Sequence, residues 1–245
     1  MKRFFDNDDR TNNCSSLFLI ASSLVLASFL VLGCNREGDV VTVDGIKYVL
    51  TKNGVVVLGV AASVRDLDVP NEIYGLPVLA IGDSAFRGCY SLKSIDLPDS
   101  VTTIGGGAFS GCSLLTSVEV SEKNENYISV DGVLFTKDRK TFVQYPAGKK
   151  DKEYAIPSGV TTIGIAAFGG CRSLKSIVIP DSVTTIGIAA FGGCDSLESI
   201  YLPDSVTTIG DKAFDGCPSL TIRAPKGSFA EQYARKKRIE FEAAE

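Results

Sequence analysis

The sequence predicts a β-dominated α/β solenoid: short, nearly identical units are stacked so that each adds one strand to a parallel sheet, and a cap closes each end. Three observations carry this. The phrase PDSVTTIG recurs letter for letter from Pro98, Pro180 and Pro203, with PSGVTTIG from Pro157. Phe86 and Phe109 lie 23 residues apart, as do Phe168, Phe191 and Phe214, and the cysteines at 89, 112, 171, 194 and 217 keep the same steps. A leucine follows each of these cysteines by three residues, so the unit reads PDSVTTIGxxAFxGCxSLxSIxL. Self-similarity at a fixed period of this length marks a stacked-repeat architecture, because one such unit cannot enclose a core but a column of them can.

Each element of the unit has a physical reading. In LKSIDLP, residues 92–98, alternation sends Leu92, Ile95 and Leu97 inward and Lys93, Ser94 and Asp96 outward. Successive copies then lie about 4.8 Å apart in a parallel ladder. Pro98 ends the strand, since it lacks the amide that a central ladder requires. SVTTIG supplies a second extended segment with Val101 and Ile104 inward. AFxGC makes a short helical or 3-10 turn anchored by Phe109.

The period fails once. Between Cys112 and Cys171 the chain carries 36 extra residues, about 121–156. There YISV and VLF flank Asp131 and Gly132, a hairpin turn signal, and a second turn at 137–139 leads into TFVQYP. The insertion is expected to bulge from the stack as a β-hairpin, exposing Lys137, Arg139, Lys140, Lys149 and Lys150. Open solenoid ends need covers. Residues 39–75, with a turn at Asp44 and Gly45, read as a β-rich N-terminal cap, and 76–224 as the repeats. Residues 225–245 read as a helical C-terminal cap. There Ser228 with Glu231 forms a capping box, and Phe229 and Tyr233 lie on the last repeat.

Composition excludes several kinds of chemistry. The chain has no histidine, so neither a Ser–His–Asp nor a Cys–His centre can form, nor a His-containing metal site. Net charge is −4, with no clustered basic footprint for nucleic acid. The five repeat cysteines occupy one register position, which forms a line of buried free thiols rather than a convergent metal site. GGGAFSG, residues 105–111, lacks the GK[ST] ending of a phosphate loop and replaces DSAFRG or IAAFGG of other copies. Asp96 and Glu119 neighbour each other across adjacent strands and read as a solvated acidic pair. The chain is therefore expected to have no catalytic residues, no metal and no cofactor.

The repeats resemble the BspA-like family of bacterial leucine-rich repeat surface proteins, whose units carry IGxxAFxxCxxLxxIxLP. Five units here show that pattern. The resemblance implies a curved, right-handed leucine-rich repeat solenoid of a kind often exported and often linked to adhesion or binding. Residues 1–33 read as a signal segment: Lys2, Arg3 and Arg10 precede LFLIASSLVLASFLVL, sixteen positions without a charge. That run is short of the roughly 20 residues of a membrane span. It ends in VLGC, which resembles a bacterial lipobox and implies lipid attachment at Cys34, with 34–38 as a tether.

The expected product is a lipid-anchored monomer at the bacterial outer membrane or cell surface, held to the membrane through Cys34 and binding no nucleic acid. Its partner would be an extracellular or host protein, contacted by the outward strand positions Lys93, Asp96, Glu119, Lys175, Val178, Glu198 and Tyr201. The alternative is an envelope structural or glycan-binding component without an adhesive role.

Overall fold

The computed structural model describes residues 37–244. The signal segment, Cys14 and Cys34 lie outside the described residues. Within them, each repeat contributes one rung with three sides. The first side is the strand of the SLxSIxL segment. Ser176–Val178 pairs in parallel with Ser199–Tyr201, placing Ser176 beside Ser199, Ile177 beside Ile200 and Val178 beside Tyr201. The second side is the TI pair: Thr162–Ile163, Thr185–Ile186 and Thr208–Ile209 stack in one parallel ladder. The third side is the AFxGC turn.

The recurrent phrase is explained almost letter by letter. The serine of DSV reaches back one rung in two copies, as Ser182 Oγ donates to the Val160 carbonyl at 2.7 Å and Ser205 Oγ to Val183 at 2.8 Å, whereas Ser100 Oγ is buried without a partner. Valine is buried in every copy, at Val101, Val160, Val183 and Val206. The first threonine also binds the previous rung: Thr102 Oγ1 donates to Leu79 O and Thr161 Oγ1 to Lys140 O, both at 3.2 Å. The glycine lets two rungs approach. A Cβ on Gly187 would stand 2.7 Å from the Gly164 carbonyl carbon. The turns close by bonds three residues apart, such as Cys89 N–H to Phe86 O at 3.0 Å. They do not grow into a helix, because one residue per turn is left-handed: Ser84, Ala166, Ala189 and Lys212 have φ of 55°, 51°, 52° and 56°.

The phenylalanines line up as two stacks. Phe86 lies on Phe109 with ring centroids 5.5 Å apart. Phe168, Phe191 and Phe214 follow one another at 5.1 Å. The core divides accordingly into a front cluster centred on Phe86, Phe109 and Val118 and a rear cluster centred on Phe168, Phe191 and Ile200.

The insertion forms the seam between the two clusters and does not bulge away as expected. Tyr127–Val130, Val133–Thr136 and Thr141–Gln144 form an antiparallel meander. Its last strand then joins the repeat ladder in parallel, Phe142 beside Ile163. Leu134 enters the front cluster, while Val133, Phe135, Phe142 and Tyr145 enter the rear one. Phe142, in the register of a repeat isoleucine, stacks on Phe168 at 4.7 Å. Tyr145, stacked on Phe168 at 5.4 Å with its N–H bonded to Ala167 O, takes the place of a repeat phenylalanine. Burying these large side chains drives the integration, each contributing about 2 kcal/mol of transfer free energy. Asn124 pins the start of the insertion. Its amide donates to Pro98 O and Val101 O at 2.8 and 2.9 Å and accepts from the N–H groups of Asn126 and Tyr127.

At the front, Val40–Val43, Ile46–Leu50 and Val55–Val60 form an antiparallel meander whose last strand starts the parallel ladder against Leu76–Ile81. A rung precedes the first one recognised from the sequence. Asp66–Asp68 pairs in parallel with Ser94–Leu97, and Val69 and Pro70 occupy the positions of Leu97 and Pro98. A small hairpin, Glu72–Ile73 against Leu76 and Pro77, lengthens this rung and hides its match to the repeat.

At the rear, the helix Phe229–Lys237 is capped by Ser228, whose side chain accepts the Glu231 N–H at 3.2 Å. Tyr233 is buried edge-on against Phe214 at 6.1 Å. Phe229, expected on the last repeat, is 42 % exposed: it shares a face with Tyr233 but stands one turn earlier, at the start of the helix, and does not join the rear cluster. After the helix, Glu240–Ala244 adds one more parallel strand beside Thr221–Pro225. Tyr233→Asp is expected to lower stability by about 2 kcal/mol or more, since it removes an end-cap ring and buries a carboxylate. Phe229→Asp should change the melting temperature little; comparing the two thermal transitions checks the assignment.

Candidate interaction surface

The strand side carries every outward position singled out from the sequence, but it is two surfaces rather than one. The front sheet holds Asp66–Asp68, Ser94–Leu97 and Ser117–Val120. The rear sheet holds Glu153–Ala155, Ser176–Val178, Ser199–Tyr201, Thr221–Pro225 and Glu240–Ala244. The turn at Asp131 and Gly132 separates them. The Val118 N–H, which would bond to the next rung, donates instead to Gly132 O at 2.9 Å. The turn fits this close because residue 132 is glycine: a Cβ there would lie 2.7 Å from Ser117 Oγ.

The front surface is acidic. Leu67, Ile95 and Val118 point inward and are buried, so alternation sends Asp68, Asp96 and Glu119 outward in one row. Ser94 Oγ donates to Asp66 Oδ1 at 2.7 Å, and Ser117 Oγ donates to Glu119 Oε1. An open cleft of about 390 Å³ runs beside the row, between Asp68, Asn71, Asp96, Asp99 and Glu119. Partial desolvation and the neighbouring Asp68, Glu119 and Asp66 carboxylates raise the Asp96 carboxyl above its ordinary value.

A carboxyl whose folded pKa is raised carries a charge that the fold disfavours. Its penalty is complete above the folded pKa and vanishes as pH falls through the carboxylate range. Asp96→Asn is therefore expected to raise the melting temperature at neutral pH, with a gain that shrinks toward about pH 3. Thermal scans across that range read the outcome. Lys93 stands exposed just before Ser94 at the same edge.

The rear surface is mixed and partly apolar. Ala155, Val178, Tyr201, Arg223 and Glu242 form its outward row. Val178 is 62 % exposed and Tyr201 40 %. Arg223 Nε reaches Glu242 at 3.6 Å. Lys175 and Glu198, two of the positions expected to meet a partner, instead meet each other at 2.6 Å. Exposed pairs of this kind contribute about 0–1 kcal/mol. The structure thus brings together Asp96 with Glu119, Lys175 with Glu198, and Val178 with Tyr201, and parts the first pair from the other two. Sequence reasoning missed Arg223. Its signal was available: TIRAP repeats the SIYLP register two residues before a proline.

The thiols are free throughout the described repeats. Cys112 Sγ donates to Phe86 O at 2.9 Å, and Cys194 and Cys217 donate to the Phe168 and Phe191 carbonyls at 3.2 Å. Cys112, Cys171 and Cys194 are buried, whereas Cys89 and Cys217 at the column's ends are only half-buried. Burial pushes the Cys112 thiol up to about 12, far from a nucleophilic thiolate.

Comparison with known proteins agrees with this architecture. The family model described as BspA type Leucine rich repeat region matches residues 63–137 and 147–230 in six copies. No curated protein is significantly similar to the chain. Among solved structures, a leucine-rich repeat protein from Eubacterium ventriosum is similar over 76 % of this chain and 71 % of its own, at 24 % identity and a TM-score of 0.54. The leucine-rich repeat protein of T. pallidum is 31 % identical over 75 % of this chain and 70 % of its own, with a TM-score of 0.39. A leucine-rich repeat protein from Bacteroides ovatus is 27 % identical over 75 % of this chain and 55 % of its own, with a TM-score of 0.47.

Proposed function

Because the chain belongs to the BspA-type leucine-rich repeat family, we propose that it is a non-enzymatic envelope protein that presents its strand side to an extracellular protein partner. In this reading Cys34 carries a lipid that holds the repeats at the cell surface. The observation that supports the contact most directly is the exposed Val178 and Tyr201 pair beside Arg223, on a ladder whose every strand is held in register. Aromatic and arginine side chains carry a disproportionate share of binding energy at protein interfaces. A rigid ladder presents them with little ordering cost.

The test separates the two surfaces. A panel of immobilised extracellular matrix proteins is probed with wild type, with Val178→Ser/Tyr201→Ser and with Asp96→Asn/Glu119→Gln. The rear double variant should bind about tenfold more weakly or worse, and the front variant should retain most of the affinity. Unchanged binding by the rear variant would remove this surface as the site. Labelled-palmitate incorporation into wild type but not Cys34→Ala is expected for the anchor, and protease cleavage of the chain on intact cells for surface display.

A further inference from the structure

The insertion leaves a pocket that none of the regular rungs has. In a regular rung, the glycine after the TI pair donates its N–H to the isoleucine carbonyl one rung back. Gly105 bonds Ile81 at 2.9 Å, Gly187 bonds Ile163 and Gly210 bonds Ile186, both at 2.8 Å. Ile104 is the exception. The glycine that would serve it, Gly164, has turned to Phe142 O at 2.8 Å. Likewise the Ala167 carbonyl, which by analogy would accept from Phe109, accepts from Tyr145 at 2.8 Å. The strand Thr141–Gln144 has wedged itself between two rungs and parts Ile104 from Gly164, whereas Gly106 stays beside Ile165 and the Gly111 N–H bonds Gly169 O at 3.1 Å. The gap holds about 240 Å³.

Its lining is specific in three ways. It contains no charged side chain: the walls are Ile104, Tyr127, Val143 and Ile165, over a floor of Gly105 to Ala108, with Thr136, Thr141 and Gln144 supplying polar groups. Gln144 is 2 % exposed. Its amide nitrogen donates to Tyr145 O at 2.7 Å, while its amide oxygen has no protein donor. The Ile104 carbonyl has lost its rung donor, whereas the Ile104 N–H is satisfied by Tyr127 Oη at 2.9 Å. The protein supplies no donor to either acceptor, so both are open to an occupant that brings donors.

We propose that this gap binds a neutral pyranose sugar, either free or as the terminal residue of a glycan. The occupant must be uncharged, because nothing in the lining compensates a charge. It must carry hydrogen-bond donors for the Ile104 carbonyl and the Gln144 amide oxygen. It must also present an apolar face to Val143 and Ile165. A pyranose meets all three conditions, with hydroxyls around its rim and C–H bonds on its faces, and the volume is that of a small ligand site. An added peptide strand is disfavoured: pairing along 103–105 would need the Ile104 N–H, which Tyr127 already holds. The pocket lies off the strand side, so it is a second binding function, separable from the protein contact proposed above.

Saturation-transfer NMR on the full chain tests it with glucose, galactose, mannose and N-acetylglucosamine. Glucuronate serves as the charged control, and trisaccharides ending in the same neutral sugars as the glycan arm. Two variants report on the site. Gly106→Val fills the floor, where a Cβ meets the Ile165 side chain, with Cδ1 at 3.0 Å, Cγ2 at 3.3 Å and Cβ at 3.4 Å. Gln144→Leu removes the buried amide. Ile165→Phe, at a half-exposed position, replaces Gly106→Val as the filling variant if the latter does not fold.

Transfer to at least one neutral sugar is expected, with affinity about tenfold lower in Gln144→Leu, lost in the filled variant and unchanged in Val178→Ser/Tyr201→Ser. Transfer to the free sugars identifies a monosaccharide site, and transfer to the trisaccharides alone a glycan terminus. No transfer to any neutral sugar, equal transfer to glucuronate, or full affinity in the filled variant would each overturn the proposal. None of these results bears on the strand-side reading.

Discussion

Phe191→Ala should lower the unfolding free energy by about 3–5 kcal/mol, read as a shifted midpoint in urea denaturation. Phe191 is fully buried, and its ring lies 5.1 Å from both Phe168 and Phe214, nearly parallel to the latter at 1°. Removing it opens a cavity with a ring on each side. Neither ring can collapse into the space, because each belongs to a rung tied to its neighbours by backbone bonds, such as Phe168 N–H to Ala190 O at 2.7 Å. The cost should therefore sit near the upper end of the range. Phe191→Leu keeps most of the volume and should lose about 1.5 kcal/mol. A loss below about 1 kcal/mol for the alanine variant would mean that the ring column is not the axis of the core.

Gly187→Ala is expected to cost about 3 kcal/mol, at the top of what overpacking normally does. The added methyl would stand 2.7 Å from the Gly164 carbonyl carbon and 2.9 Å from the Ile165 nitrogen, and backbone cannot rotate away as a side chain can. Relief requires two rungs to separate, which would weaken the bond from Gly187 N–H to Ile163 O. Gly159→Ala is the control. Gly159 has a φ of +95° with nothing within 4 Å of the new Cβ, so its loss reflects backbone strain alone. That strain is about 1–2 kcal/mol. Gly187 itself has no left-handed φ, so a loss no larger than that of Gly159→Ala would mean that rung spacing does not require the recurrent glycine.

These two positions show what periodicity makes legible. Phe191 and Gly187 recur at one register position in each copy, so their roles follow from asking what identical units need when stacked. The outward row was legible for the same reason: Asp96 lies beside Glu119 and Val178 beside Tyr201 because residues 23 apart become neighbours in a ladder. The rung at 66–82 escaped notice because the hairpin at residues 72–77 lengthens it, breaking the spacing without changing the packing. The final strand Glu240–Ala244 was hidden behind a helix that reads convincingly as an ending, although Ile239 and Phe241 both pack against the rear cluster.

By itself, then, the sequence determined the rung: its strand, its second extended segment and its buried ring, all local consequences of a short unit that must fit its own copy. The threonine and serine back-bonds and the close approach at glycine emerged with the stacking. Only the tertiary structure decided where the ladder breaks. Gly164 bonding Phe142 instead of Ile104, and Gly132 ending the front sheet at Val118, are choices among competing edges that every rung offers alike. They are settled by how much apolar surface the insertion buries once it enters the stack. That quantity depends on contacts between segments distant along the chain, and no local spacing encodes it.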